Sequence, residues 1–173
     1  MNFKQKITTI KAFVFDIDGV LSSSMISVNT DGSLQRTINS KDSYAIQYAI
    51  KKGYKIAIIT GGKAEHLLKC YSGLGIEDIY VNSGVKKYAF NDFINKYQIN
   101  NSEVLYMGDD IPDYEVMKQS GIAACPSDAS NEIKNISMYV SDKKGGDGCV
   151  RDVIEQVLKS QNQWFDAEIA FEW

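Results

Sequence analysis

The chain holds one histidine, two prolines and three cysteines in 173 residues. Cys70, Cys125 and Cys149 are odd in number, widely spaced and contain no CxxC pair. That excludes a disulfide framework and a four-ligand zinc site. Unpaired thiols suit a reduced compartment, so a cytoplasmic protein is expected. Cys125, in "IAACP", reads as a small buried hydrophobe. His66 falls inside a helical stretch after two glycines and is assigned a solvated or helix-packing role. No basic excess is present. The formal net charge is −3, and the basic face that nucleic acid or an anionic membrane surface requires is missing. Long apolar runs are absent too: "AFVF" and "IAII" fall far short of the roughly 20 residues that span a bilayer. The opening "MNFKQKITTIK" lacks the apolar core and small-residue cleavage site of a signal peptide. There is no Ser/Gly-rich linker, repeat or low-complexity tract, and the length suits a single domain over residues 1–173.

What the chain does have is a rhythm. Short apolar, β-branched or aromatic runs alternate with amphipathic stretches almost to the end. The strand candidates are "AFVFDI", "KIAIIT", "DIYV", "VLYMG", "IAACP" and "MYVS". They are continuous rather than alternating, as strands covered on both faces should be. Between them lie "DSYAIQYAIKKG", "GKAEHLLKCYSGLG", "KKYAFNDFINKYQ", "DYEVMKQSG" and "ASNEIKN", with "CVRDVIEQVLKSQ" last. Gly53, Gly73 or Gly75, and Gly121 stand at expected helix C-termini. The order predicts an α/β fold, a Rossmann-like, doubly wound and mainly parallel sheet. One segment departs from it. "MISVNTDGSLQRTINS" alternates polar and apolar residues around Asp31-Gly32, which predicts a β-hairpin flap over about residues 25–40. Asp42 is expected to N-cap a helix starting at Ser43, and "KKGGDGC" reads as an ordinary loop. The tail, about residues 161–173, carries Trp164, Phe165, Phe171 and Trp173 with no partner strand. So apolar a tail must pack on something, and with no obvious place in its own sheet it is expected on or near a neighbour's site.

The chemistry gathers where the strands end. "AFVF" runs into Asp16 and Asp18, two carboxylates that alternation would aim the same way. Like charges side by side are costly unless a cation or a reaction needs them. The second strand runs into Thr60, Gly61 and Gly62. Lys86 and Lys87 follow the third. Asp109 and Asp110 end the fourth, with Asp113 three residues on. Ligands of open α/β sheets bind at the carboxyl ends of strands. Carboxylates, a hydroxyl, a lysine and glycine turns at one rim suit a phosphate and a hard, oxygen-liganded cation such as Mg²⁺.

"DIDGV", "ITGG", the lysine after the third strand and "MGDDIPD" resemble, in order, the four motifs of the haloacid dehalogenase (HAD) superfamily of phosphatases. The resemblance implies a HAD-like fold and roles for named residues. Asp16 would be the nucleophile, forming an aspartyl phosphate. Asp18 would protonate the leaving alcohol and then activate water. Thr60 and Gly61 would hold the phosphate, and Lys86 would neutralise phosphate and nucleophile. Asp16, Asp18 (through its backbone carbonyl) and Asp109 would bind Mg²⁺, supported by Asp110 and Asp113. Related enzymes place the lysine six residues beyond the strand that ends at Tyr80, which selects Lys86 over Lys87.

Many HAD phosphatases carry a cap domain. Here about 24 residues separate Asp18 from Ser43, too few for an independent domain, so a capless member is expected. The hairpin, "KDSYAIQYA" and "GGDGCVRDVIEQVL" resemble the capless 3-deoxy-D-manno-octulosonate 8-phosphate (KDO 8-phosphate) phosphatases over nearly the whole chain. That implies a phosphoric monoester hydrolase of KDO and lipopolysaccharide biosynthesis. It also implies a homotetramer whose hairpins associate and whose subunits cover each other's sites. A related enzyme acts on KDN 9-phosphate, a nine-carbon sugar acid. Family members often have Arg directly after the "TG", or Glu in the nine-carbon enzymes. Gly62 stands there in this chain, which leaves Lys63, Arg151 or a neighbour's Arg36 to bind the substrate carboxylate. A phosphate-sensing receiver module does not fit the order of the acidic pair and the lysine. A silent scaffold does not fit four intact motifs.

Overall fold

The computed structural model describes residues 2–63 and 65–171; the expectations for the His66 side chain and for Trp173 fall outside the described residues. A one-turn helix α1 (Phe3–Lys6) precedes β1 (Ala12–Phe15). The hairpin strands β2 (Ser27–Val28) and β3 (Leu34–Gln35) come next. They are followed by α2 (Ser40–Lys51), β4 (Lys55–Ile59), α3 (Glu65–Gly73), β5 (Asp78–Tyr80), α4 (Lys86–Tyr97) and β6 (Val104–Met107). The chain ends with α5 (Tyr114–Gln119), β7 (Ile122–Cys125), α6 (Asn131–Ile136), β8 (Tyr139–Val140) and α7 (Cys149–Ser160).

All six expected strands join one sheet in the order β5-β4-β1-β6-β7-β8, and every pairing is parallel. Parallel neighbours need crossovers, and the helices supply them on both faces. Alternation along β1 divides the core. Phe13 and Phe15 face α2 and α7, meeting Ala45, Ile46, Val153 and Ile154. Ala12 and Val14 face the other side, with Phe90, Phe93, Val116 and Met117. In α7 the buried residues Val150, Val153, Ile154, Val157 and Leu158 fall at helical spacing, one continuous apolar stripe. Each such side chain, fully buried, stabilises the fold by about 1.5–3 kcal/mol.

The hairpin forms where expected, with Ser27 opposite Gln35 and Val28 opposite Leu34. Asp31 Oδ1 accepts the Ser33 backbone N–H at 2.9 Å. Gly32, at φ +81°, takes the left-handed step such a loop needs. Met25, Val28, Leu34 and Ile38 on this flap stay exposed.

Four expectations are corrected. First, β1 ends at Phe15 rather than Ile17, because a turn begins at once: the N–H groups of Val20 and Ser22 both reach Ile17 O. Second, α2 begins three residues earlier than expected. Its N-cap is Asn39, which accepts from Lys41 and Asp42, and Asp42 is buried inside the first turn. Third, the glycine loop is not ordinary. Gly145 lies so close to the turn after β1 that a Cβ there would stand 1.9 Å from Gly19 O, and the Gly146 N–H bonds Val20 O at 2.8 Å. Fourth, Trp164 packs on its own chain. Its ring meets Tyr44 and Tyr48 of α2 edge-on, and the Arg151 guanidinium lies 5.3 Å from its centroid. Tyr44 donates to Ala170 O, and Lys52 pairs with Asp166 at 2.6 Å. Phe165 and Phe171 remain exposed, edge-to-face with each other.

Candidate active site

The polar residues at the carboxyl ends of β1, β4 and β6 line one cleft of about 290 Å³. Asp16 stands at its floor, 7% exposed. Its Oδ1 accepts the Ile17 N–H at 2.7 Å, and its Oδ2 lies 2.9 Å from Lys86 Nζ. Asp18 shares the cleft. What brings the two together is the turn rather than strand alternation. Gly19 sits at φ +85° and its N–H returns to Ser22 O. The glycine is required: a Cβ there would meet Asp109 Oδ2 at 2.0 Å.

Lys86 is the first residue of α4 and is buried, whereas Lys87 turns outward over the Tyr88 ring. Lys86 Nζ also donates to Asp113 Oδ1 at 2.8 Å, and the Tyr106 hydroxyl donates to the same oxygen at 2.7 Å. Burial alone would lower the Lys86 pKa, but Asp16 and Asp113 outweigh it and raise the value above the ordinary lysine range. The two carboxylates therefore favour the charged ammonium. Thr60 is buried beside it, its hydroxyl accepting the Gly62 N–H at 3.2 Å. Thr60 and Gly61 both line the cleft, as do Asp109 and Asp110.

Asp16, Asp109 and Asp113 bring carboxylate oxygens within 4.8 Å of one another. Burial raises the Asp16 pKa, Asp113 adds to the rise, and Lys86 opposes it. Asp109 is pushed up to about 7, by burial first and then by Asp113 and Asp110. Asp113 Oδ2 is buried without a hydrogen-bond partner among the described residues. One lysine against three crowded carboxylates leaves excess negative charge and unused oxygen lone pairs. Such an all-oxygen donor set fits a hard dication.

Of the candidates for a carboxylate-binding cation, Lys63 is exposed and Arg151 is committed elsewhere, paired with Glu155 at 2.6 Å and stacked over Tyr44 and Trp164. Among the described residues, neither lines the cleft. Arg36, expected from a neighbour, instead reaches Asp18 of its own chain. Nε lies 2.6 Å from Oδ1 and Nη2 lies 3.0 Å from Oδ2.

Residues 72–153 match the family model of haloacid dehalogenase-like hydrolases. A KDO 8-phosphate phosphatase from Salmonella typhi is 33% identical over 94% of this chain and 87% of its own length. A crystal structure of the corresponding phosphatase from Yersinia pestis superposes with a TM-score of 0.90 at 32% identity, covering 92% of this chain and 86% of that one. The chain belongs to the KDO 8-phosphate phosphatase family of HAD-like hydrolases. It is a phosphoric monoester hydrolase. A structure of the family's Moraxella catarrhalis member holds a magnesium ion, a phosphate ion and KDO. That protein is 34% identical, with a TM-score of 0.90 over 96% of this chain and 95% of its own.

Two groups of this phosphatase site escaped the reading of motifs. Tyr106 is the only hydroxyl in the buried run Val104–Met107, and an isolated hydroxyl inside an apolar strand is itself a signal of a buried partner. The Arg36–Asp18 pair has no local signature, because it depends on how the hairpin folds back.

Proposed function

We propose that this enzyme hydrolyses KDO 8-phosphate to KDO and phosphate through an aspartyl phosphate on Asp16. The observation that carries the reading is Asp16 itself. It is a buried carboxylate held on one oxygen by a backbone N–H and on the other by Lys86, at the floor of a cleft of about 290 Å³. A carboxylate so fixed is a positioned nucleophile.

In the first step an Asp16 oxygen attacks phosphorus in line, and the bond from phosphorus to the C8 oxygen breaks. Asp18 gives that oxygen its proton. In the second step Asp18 takes a proton from water, whose oxygen attacks phosphorus and breaks the bond to Asp16. Thr60 and the backbone around Gly61 hold phosphate oxygens, and Lys86 cancels charge on nucleophile and phosphate. Mg²⁺, held by Asp16, Asp109 and the Asp18 carbonyl with Asp110 and Asp113 in support, supplies the remaining charge neutralisation that lets a dianion approach a carboxylate.

The chain works as one capless unit, residues 1–173, in the cytoplasm. It assembles as a homotetramer whose flaps make the central contact, so that neighbours exclude water from each other's clefts. The exposed Met25, Val28, Leu34 and Ile38 of the hairpin support this, as do the exposed Phe165 and Phe171 of the tail. Two-stranded ribbons of this size need packing partners.

The test is a substrate panel of KDO 8-phosphate, KDN 9-phosphate and generic monoesters, run with Mg²⁺, with Ca²⁺ and with chelator, on wild type and Asp16→Asn. KDO 8-phosphate with Mg²⁺ should give the highest kcat/KM. Calcium, which takes more ligands at longer distances, should inhibit. Turnover by Asp16→Asn, or full activity in chelator, would end the mechanism. A preference for KDN 9-phosphate would move the substrate to nine carbons.

A further inference from the structure

Both oxygens of Asp18 are occupied. The Arg36 fork takes Oδ1 at 2.6 Å through Nε and Oδ2 at 3.0 Å through Nη2. The Arg36 side chain is only 2% exposed, and its remaining nitrogen, Nη1, is buried with no hydrogen-bond partner among the described residues. A buried guanidinium with an unused donor is costly and stands ready for another acceptor. Gly62 lies against the pair. A Cβ at that position would stand 3.5 Å from both Arg36 Nη2 and Asp18 Oδ2, so anything longer would enter the space the fork fills. Arg36 follows directly on β3, at the base of the flap, where its guanidinium reaches Asp18.

We infer that Arg36 is a specificity-determining residue that couples recognition of the substrate's carboxylate to the release of Asp18. The inference rests on the sugar-acid reading above. With the fork on both oxygens and the Ser22 hydroxyl also donating to Oδ1 at 3.4 Å, the Asp18 carboxylate is turned toward Arg36 rather than toward a leaving oxygen. A planar guanidinium leaves one carboxylate readily only for another anion of matching geometry. The carboxylate of a sugar acid is such an anion, and Nη1 is a donor with no acceptor among the described residues. Once Arg36 turns to the substrate, Asp18 is free to serve the leaving group. A phosphate ester without a carboxylate leaves the fork closed and Asp18 engaged. Discrimination then acts on turnover as well as on binding.

The test compares wild type, Arg36→Ala and Arg36→Lys on KDO 8-phosphate and on glucose 6-phosphate, a carboxylate-free ester with an equally poor leaving group. Arg36→Ala should lower kcat/KM for KDO 8-phosphate by roughly tenfold or more. The same variant should raise kcat for glucose 6-phosphate severalfold. Arg36→Lys, which keeps the charge and loses the fork, should recover part of the activity on KDO 8-phosphate. A parallel loss on both substrates would make Arg36 a structural strut and overturn the inference; so would no change on either. If wild type hydrolyses glucose 6-phosphate but not KDO 8-phosphate, the substrate reading fails by itself. In that case a rise with Arg36→Ala still supports the clamp on Asp18, and no rise overturns it.

Discussion

The carboxylate of Asp42 accepts the backbone N–H of Arg151 at 2.7 Å, closing the first turn of α2 onto the first turn of α7. The carboxylate sits at the positive end of a helix, yet it lies deep in the protein and its second oxygen has no partner among the described residues. Burial wins over the N–H bond, and the Asp42 pKa is pushed up to about 6.

A pH dependence follows from that shift. The folded value of about 6 lies above the ordinary 3.8, so between these values the folded state keeps a proton that the unfolded chain has shed. The associated stability is present in acid and is lost as the pH rises through 6. Asp42→Asn removes this titration and leaves those of Asp16 and Asp109 in place. Relative to the variant, wild type should lose on the order of 2–3 kcal/mol between about pH 4 and pH 7.5. Urea unfolding of both proteins at the two pH values measures it. Parallel pH curves would mean Asp42 does not titrate in this way.

Asp18→Asn separates the acid from the rest of the site. With a sugar phosphate, whose alkoxide must be protonated to leave, kcat should fall by roughly 10²–10⁴-fold. With p-nitrophenyl phosphate the defect in forming the aspartyl phosphate should shrink. Pre-steady-state release of p-nitrophenol isolates that step, and equal defects for both esters would remove Asp18 from the acid role.

Lys86→Met should be costly twice over. It strands Asp16 and Asp113, which Lys86 holds at 2.9 and 2.8 Å, and removing one member of a buried ionic group costs roughly 3–5 kcal/mol. The companion change Lys87→Met, on the outward side of the helix, should stay within about 0.5 kcal/mol. Denaturation midpoints distinguish them. Adding Asp113→Asn to Lys86→Met should restore part of the stability and none of the turnover.

Deleting residues 27–38 tests the assembly. Light scattering of the intact protein should give a tetramer, and the deletion should give smaller species. The shortened protein should lose activity on KDO 8-phosphate far more than on p-nitrophenyl phosphate, because water exclusion matters most for the poor leaving group. An intact protein that is a monomer at micromolar concentration with full sugar-phosphate activity would refute the borrowed cover.

The sheet was legible because its strands are buried on both faces, which leaves continuous apolar runs that end abruptly in polar residues. That abruptness also made Asp16, Thr60, Lys86 and Asp109 visible. Side chains whose partners come from distant segments were not legible. Arg36 meets Asp18 only because the hairpin folds back, and alternation along the hairpin carries no record of that angle. Asp42 looked like a cap because it precedes the apolar stripe of α2, but Asn39, three residues earlier, caps the helix through the N–H groups of Lys41 and Asp42, and the Asp42 carboxylate turns to the Arg151 N–H instead. Arg151 looked like a free cation near glycines. Its surroundings are Tyr44, Trp164 and Glu155, an arrangement created by the return of the tail onto α2. The tail itself offered no periodicity, since its anchors are single contacts rather than a stripe.

The contact of Gly145 with Gly19 bears on the order in which the enzyme becomes competent during synthesis. Asp16, Asp18, Thr60, Lys86 and Asp109 all precede Gly145 in the chain, so a ribosome has already released every side chain proposed for catalysis before the segment that braces their central turn appears. Backbone lies against backbone there, and the Gly146 N–H and the Cys149 thiol both close on Val20 O. A nascent phosphatase halted before that loop would carry its whole chemistry on an unsupported turn. A stretch that emerges late is what braces the first motif.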